Sequence, residues 1–175
     1  MSLESDLKLI FIDIDGVVNN IDDNTSYFSY DPSKYGLSKT NMKILKYIIK
    51  NTNAKLVLST SWRNHDDDYC YPYKGLLFKS PLREFILRTG KKNFYEHESA
   101  PHMKGFQKYF DILGFFYKYD ININEANFAV LDDQTNQLLE KFGENFFLID
   151  GQTGLTKPVA ESIIVHLNKE KKYDS

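Results

Sequence analysis

Short apolar runs alternate along the chain with segments whose apolar residues recur at helical spacing. Four runs are short, apolar and bounded by glycine, hydroxyl or acidic residues, which is typical of buried strands. Three segments have amphipathic helical spacing, and a fourth opens with Ser-Pro, a common helix start. The predicted strands are 8–14, 54–60, 127–131 and 146–149, and the predicted helices are 38–50, 80–89, 103–116 and 157–168.

Strands that alternate with helices predict an α/β fold with a mostly parallel central sheet and helices on both faces. Ligands bind to such sheets beyond the carboxyl ends of the strands. Polar residues follow the strands at these ends. The sequence therefore predicts that four acids and several hydroxyls converge at one edge: Asp13 and Asp15 end or follow the first strand, Ser59, Thr60 and Ser61 end the second, and Asp132 and Asp133 end the third.

Carboxylates gathered in one crevice repel one another and need a cation, because an unpartnered buried charge is costly. Oxygen ligands at such an edge suit Mg²⁺, and Gly16 lets the chain turn sharply out of the first strand. Taken alone, the pattern Asp13-x-Asp15-Gly16 is also compatible with acids that only cap a turn. A calcium loop of the EF-hand type is excluded because its third ligand and its glutamate at the twelfth position are missing.

Composition narrows the class of protein. The 175 residues show no internal repeat and no long linker, which predicts a single domain, 1–175, that we expect to be a monomer. A net charge of −2 gives no global field that would favour a nucleic acid or a membrane. Cys70 is the only cysteine, so no internal disulfide can form. Apolar stretches also stay well below the roughly 18 residues of a membrane span. We therefore expect a cytoplasmic protein with no membrane partner.

Four motifs resemble, in order and spacing, those of the haloacid dehalogenase-like (HAD) phosphatase superfamily, and they extend from about residue 8 to residue 133. "FIDIDGVV" is similar to the first motif, hhhDxDG, and "LVLSTSWR" to the second, an apolar strand ending in Ser or Thr. Lys104 in "PHMKGFQKYF" fits the third, a basic residue that opens a helix. "FAVLDD" resembles the fourth. "STSWR" and the tail "DGQTGLTKPVAESIIVHL" also resemble the HAD domains grouped with Swiss Army Knife RNA-repair-like proteins.

This resemblance implies a Rossmann-like HAD fold and a role for each motif residue. Asp13 would be the nucleophile that forms an aspartyl-phosphate, and Asp15 the general acid and then the general base. Thr60 would donate a hydrogen bond to a phosphate oxygen, and Lys104 would stabilise the charge on Asp13 and on the phosphoryl group. Further candidates for substrate contact are Gly16, Ser61 and Arg63.

The resemblance also implies a Mg²⁺ cofactor. Asp13 and the backbone carbonyl of Asp15 would bind the ion, and Asp133, with Asp132 adjacent, is the favoured third ligand. Without the resemblance, non-catalytic interpretations stay open for residues of the second and third motifs. Thr60 is then a structural residue at a strand end, and Lys104 a solvated helix residue.

The sequence thus predicts a Mg²⁺-dependent hydrolase of phosphomonoesters. A nucleotide monophosphatase, a phosphotransferase and a catalytically silent HAD-like binding module stay open as alternatives. The stretches 18–37 and 62–102 are expected to form a flap and a small insertion, a minimal cap too small to close over a small ligand. An open site favours a large phosphorylated substrate, and basic residues in 74–92 make a nucleic-acid end the first choice, ahead of a phosphoprotein.

Overall fold

The computed structural model describes residues 7–22, 37–59, 104–134 and 139–169. Four strands lie in these ranges: β1 (Lys8–Ile12), β2 (Lys55–Leu58), β3 (Asn127–Asp132) and β4 (Phe146–Leu148). They form a sheet in the order β2-β1-β3-β4, in which every neighbouring pair is parallel. The predicted parallel α/β architecture is confirmed.

Helices follow three of these strands along the chain. They are α1 (Lys39–Thr52), α2 (Lys104–Lys118) and α3 (Lys157–Leu167), and a 3-10 segment covers Leu139–Asn145. Ser38 caps α1 as its sequence position suggested, because its Oγ accepts the N–H of Asn41 at 3.1 Å. The first helix ends at Thr52, and the next residue, Asn53, caps it with a φ of 56°, in the left-handed region that asparagine tolerates.

Several predicted elements lie outside the residues that the structure describes. The predicted helix 80–89, the small insertion 62–102 and most of the flap 18–37 lie outside the described ranges. None of the helices within those ranges is long and apolar enough to cross a membrane.

The first strand ends two residues earlier than its apolar pattern predicted. After Ile12 the chain turns, and the N–H groups of residues 17–19 all donate to the carbonyl of Ile14. Asp13 still belongs to the sheet's hydrogen-bond pattern, since its N–H donates to the Leu131 carbonyl at 2.9 Å. The backbone of Asp13 is therefore fixed by the sheet while the chain immediately beyond it bends away.

Side chains of the central strands alternate between two apolar layers, as the period of a strand requires. Helices α1 and α3 cover one face of the sheet, and α2 covers the other. The layer under α1 and α3 includes Ile10, Ile12, Ala129 and Leu131. The layer under α2 includes Leu9, Phe11, Phe128 and Val130. Helices therefore lie on both faces, as predicted.

An aromatic cluster fixes α2 on its face of the sheet. The Phe11 ring lies 5.2 Å from that of Phe115 and 5.4 Å from that of Phe116, measured between centroids. Phe128 lies 5.0 Å from Phe116. Because side chains two apart on a strand share a face, Asp13 projects toward the same side as Phe11. The helix that packs on this cluster therefore lies on the side of the sheet toward which Asp13 projects.

Candidate active site

Acidic side chains meet where β1 and β3 end. Oxygen atoms of Asp13, Asp132 and Asp133 lie within 4.8 Å of one another. Asp13 and Asp132 are only 5% and 2% exposed, and Asp133 is half-buried. The structure thus brings together three of the four acids that the sequence singled out, at the edge of the sheet where a ligand was expected.

A lysine that the sequence motifs did not indicate reaches this acidic cluster. The Nζ of Lys108 forms ion pairs with Asp13 and Asp132, and it lies 2.7 Å from Asp132 Oδ2. Lys108 precedes Phe115 by two helical turns, so it shares the face of α2 that packs on the sheet. That register with Phe115 is the sequence signal that would have found it.

Lys104, the basic residue that the motif pattern favoured, opens α2 one turn before Lys108. Its side chain lies outside the part of the chain that the structure describes. The two lysines are on neighbouring positions of one helix face, because residues four apart on a helix are adjacent. The ammonium group seen against the acids is that of Lys108.

The electrostatics of the cluster follow from three buried or half-buried acids around one ammonium. Burial raises the pKa of Asp133 to about 6, and the negative charges of Asp132 and Asp13 act in the same direction. Burial also raises the pKa of Asp132, although Lys108 opposes the shift. For Lys108 burial favours a lower pKa, but attraction to Asp13 and Asp132 outweighs it and the pKa is raised. Among the described residues, one cation thus faces three acids, and this part of the cluster favours further positive charge.

Two glycines surround the carboxylate of Asp133. A Cβ placed on Gly16 would lie 2.2 Å from Asp133 Oδ2, and one on Gly151 would lie 3.0 Å from it. Gly16 also has a φ of +71°, a conformation that side chains disfavour. Asp133 Oδ1 is buried and accepts no hydrogen bond from any described residue. The glycines therefore make room for a carboxylate that keeps an unused acceptor.

The fourth predicted acid, Asp15, is held by a neighbour in the turn. Asn19 Nδ2 donates to Asp15 Oδ1 at 2.8 Å, and Asn19 Oδ1 accepts the N–H of Gly16 at 2.9 Å. Asn19 is fully buried, which is unusual for a polar side chain outside a network. The sequence reasoning missed Asn19, because a polar residue in a predicted loop carries no signal of burial.

The second motif is described only at its start. Ser59 follows β2 level with Asp13, and its N–H donates to the Ile12 carbonyl at 2.9 Å. The Ser59 hydroxyl is buried and has no hydrogen-bond partner among the described residues. The other predicted residues of this motif, Thr60, Ser61 and Arg63, lie outside the described ranges.

The residues of the cluster fit a hard divalent cation. All three acids offer oxygen ligands, which Mg²⁺ prefers, and their spacing allows them to face one ion. Asp13 Oδ1 accepts the Ile14 N–H at 2.7 Å and Asp132 Oδ1 accepts the Gln134 N–H at 3.0 Å, so two of the carboxylates are already oriented. The excess of acids and the unused oxygen of Asp133 both favour such an ion.

Comparison with known proteins supports the same fold. A family model described as the HAD domain in Swiss Army Knife RNA repair proteins matches residues 9–160. The match includes all of β1 except Lys8, the whole of β2 to β4, and all three members of the acidic cluster. Searches of curated proteins and of solved structures gave no match.

Proposed function

The chain belongs to the family of HAD domains in Swiss Army Knife RNA repair proteins, and from this membership we propose that it is a Mg²⁺-dependent phosphatase. The proposed reaction is hydrolysis of a phosphomonoester through an aspartyl-phosphate. The observation that carries the proposal is the cluster of Asp13, Asp132 and Asp133 around Lys108 at the carboxyl ends of β1 and β3. Phosphoryl transfer depends mainly on such positioning and electrostatic stabilisation.

Asp13 is the proposed nucleophile. Its backbone is fixed by the bond to Leu131, and its two side-chain oxygens are oriented by the Ile14 N–H and by Lys108. As an Asp13 oxygen bonds to phosphorus, the ester P–O bond breaks and Asp15 gives its proton to the leaving oxygen. Asp15 then takes a proton from the water that attacks phosphorus, which releases inorganic phosphate and restores Asp13.

The proposed Mg²⁺ ligands are Asp13, the backbone carbonyl of Asp15, and Asp133. Asp133 is favoured over Asp132 because both oxygens of Asp132 are already engaged, one with Gln134 and one with Lys108. Asp133 Oδ1 has no partner among the described residues. When bound, Mg²⁺ would supply positive charge that offsets the charge of the transferring phosphoryl group.

Lys108 is our proposal for the basic residue of the third motif. Its contacts with Asp13 and Asp132 are those expected of a group that holds the nucleophile and balances phosphoryl charge. Lys104, one turn earlier, remains the competing assignment from the sequence. Thr60 is proposed as the hydroxyl that binds a phosphate oxygen, with Gly16, Ser61 and Arg63 as further substrate contacts.

The proposed substrate is the phosphorylated end of a nucleic acid. This choice rests on the family, whose name refers to RNA repair, and on the basic stretch 74–92. A phosphate monoester at the end of a nucleic acid can reach the acidic cluster while the rest of the polymer stays outside it. A nucleoside monophosphate is the alternative that the assay must separate.

The test is release of phosphate from 3′- and 5′-phosphorylated oligonucleotides and from the matching mononucleotides. We expect activity with Mg²⁺, loss of activity with EDTA, and a kcat/KM at least as high on an oligonucleotide as on its mononucleotide. A preference of tenfold or more for the mononucleotide, about 1.4 kcal/mol in transition-state binding, would reject the nucleic-acid end. No release from any of these substrates would reject the phosphatase.

A further inference from the structure

Asn19 is the most completely buried polar side chain near the proposed active site, and the reaction as described gives it no role. It is 0% exposed, and both ends of its amide are used. The carbonyl end accepts from the Gly16 N–H, and the amino end donates to Asp15 Oδ1. One side chain therefore joins the turn after β1 to the carboxylate of Asp15.

The orientation of the Asn19 amide is determined by chemistry. The Gly16 N–H can only donate, so the group facing it must be the Asn19 oxygen. The Asn19 nitrogen then faces Asp15, whose carboxylate accepts. A flipped amide would lose both bonds in a buried place, which costs free energy for each unpaired group.

The backbone turn that carries Asn19 is itself fixed by several hydrogen bonds. The Asn19 N–H donates to the Ile14 carbonyl at 3.2 Å. The carbonyls of the two preceding residues accept N–H groups from other elements, Val17 from Leu155 at 3.0 Å and Val18 from Ser38 at 2.8 Å. The turn is thus tied to α1 and to the segment before α3, which makes it a rigid support for a side chain that must hold its geometry.

We propose that Asn19 is a positioning residue for the acid–base chemistry of Asp15. Its donation to Oδ1 holds the Asp15 carboxyl in one orientation and favours Oδ2 as the oxygen that carries the proton to the leaving group. Asp15 forms no covalent bond to phosphorus, so its orientation matters most when the leaving oxygen needs that proton. This inference rests on the proposed phosphatase function.

The test compares two substrates that differ in their leaving groups. p-Nitrophenyl phosphate releases a stable phenolate that needs little protonation, whereas a nucleoside monophosphate releases a sugar alkoxide that needs it. The quantity measured is kcat/KM, which reports the steps up to formation of the aspartyl-phosphate. In Asn19→Leu we expect kcat/KM on the nucleotide to fall about tenfold or more beyond any fall on p-nitrophenyl phosphate, since general acid catalysis is worth roughly 10²- to 10⁴-fold.

Two further variants separate this role from support of the turn. Asn19→Asp keeps an acceptor for the Gly16 N–H but loses the donor to Asp15. The substrate ratio, which is kcat/KM on the nucleotide divided by kcat/KM on p-nitrophenyl phosphate, should therefore be as low as in Asn19→Leu. Asn20→Leu is the matched control, because Asn20 is also buried but donates to the Thr153 carbonyl at 2.8 Å. It is expected to lower the melting temperature and leave the substrate ratio unchanged.

Each outcome has a defined meaning. A low ratio in both Asn19 variants with a normal ratio in Asn20→Leu supports the proposal. An equal loss on both substrates, or a wild-type ratio in Asn19→Asp, would show that Asn19 only supports the turn and would overturn the inference while leaving the phosphatase intact. Wild-type protein that releases phosphate from neither of these substrates nor from the phosphorylated oligonucleotides would instead reject the proposed function and this inference together.

Discussion

Replacing Lys108 by methionine should destabilise the protein and impair its chemistry at once. The change keeps an unbranched side chain of similar length and removes the charge that pairs with Asp13 and Asp132. Those acids are 5% and 2% exposed, so they cannot recover the lost interaction from water. At an effective dielectric constant of about 20, two like charges no more than 4.8 Å apart repel by about 3.5 kcal/mol or more.

The expected loss of stability follows from these numbers. Removing one partner of a buried ion pair typically costs about 3–5 kcal/mol, and the lower value applies because the side chain of Lys108 is 21% exposed. For a chain of this size, a loss of about 3 kcal/mol corresponds to a fall of roughly 6–12 °C in melting temperature. Protonation of the acids would recover part of the loss at low pH.

Thermal denaturation in EDTA and in saturating Mg²⁺ tests this prediction by measuring the melting temperatures of wild type and Lys108→Met. Mg²⁺ should raise the melting temperature of Lys108→Met by more than it raises that of wild type, because the variant cluster lacks its internal cation. The kcat on a phosphomonoester should fall by about 10²-fold, the usual effect of losing one group that stabilises developing charge.

Two other lysine variants show whether the effects are specific to Lys108. Lys118→Met alters an exposed lysine at the far end of the same helix and should change stability by only about 0.5 kcal/mol. Lys104→Met tests the assignment from the sequence motif. If Lys104→Met abolishes turnover while Lys108→Met keeps wild-type stability and rate, the proposed role of Lys108 is refuted.

Two other variants test the surroundings of Asp133. Mg²⁺ should raise the melting temperature of wild type and have a smaller effect on Asp133→Asn, and an equal rise in both would remove Asp133 from the metal site. Because the folded-state pKa of Asp133 is raised to about 6, above its usual value near 4, the folded protein binds the extra proton between these values. Relative to Asp133→Asn, wild type in EDTA should therefore lose stability as pH rises from about 4 through about 6, and a parallel pH dependence would contradict the shift. Gly16→Ala should be more destabilising than Gly143→Ala, since both glycines have positive φ but only at Gly16 would a Cβ meet Asp133; equal melting temperatures would show that this close approach does not matter.

The sequence predicted the order of strands and helices because apolar periodicity records which side of each element is buried. It also placed Asp13, Asp132 and Asp133 at one edge, since parallel strands end together. Strand length was less predictable. The apolar run of the first strand continues past Ile12, but its last residues pack in a turn that the same composition can form.

Lys108 shows what a motif alone leaves out. The motif specifies only that a basic residue lies near the start of a helix. Which basic residue contacts Asp13 depends on the face of α2 that packs on the sheet. Phe115 and Phe116 decide that face by packing on Phe11. The contacts of Gly16 and Gly151 with Asp133 are even less visible in the sequence, because they join residues from three separate loops.

The central claim is that Asp13 is phosphorylated during turnover, and the direct measurement is to trap that intermediate. Wild-type protein reacting with p-nitrophenyl phosphate and Mg²⁺ would be quenched in acid, digested and analysed by mass spectrometry. We predict a phosphoryl group on the peptide that contains Asp13, and borohydride should convert that residue to homoserine. Asp13→Asn should give no phosphopeptide and no turnover, because an amide is not an anionic nucleophile. Turnover without phosphate on Asp13, or an Asp13→Asn variant that keeps most of the wild-type rate, would contradict covalent catalysis by Asp13.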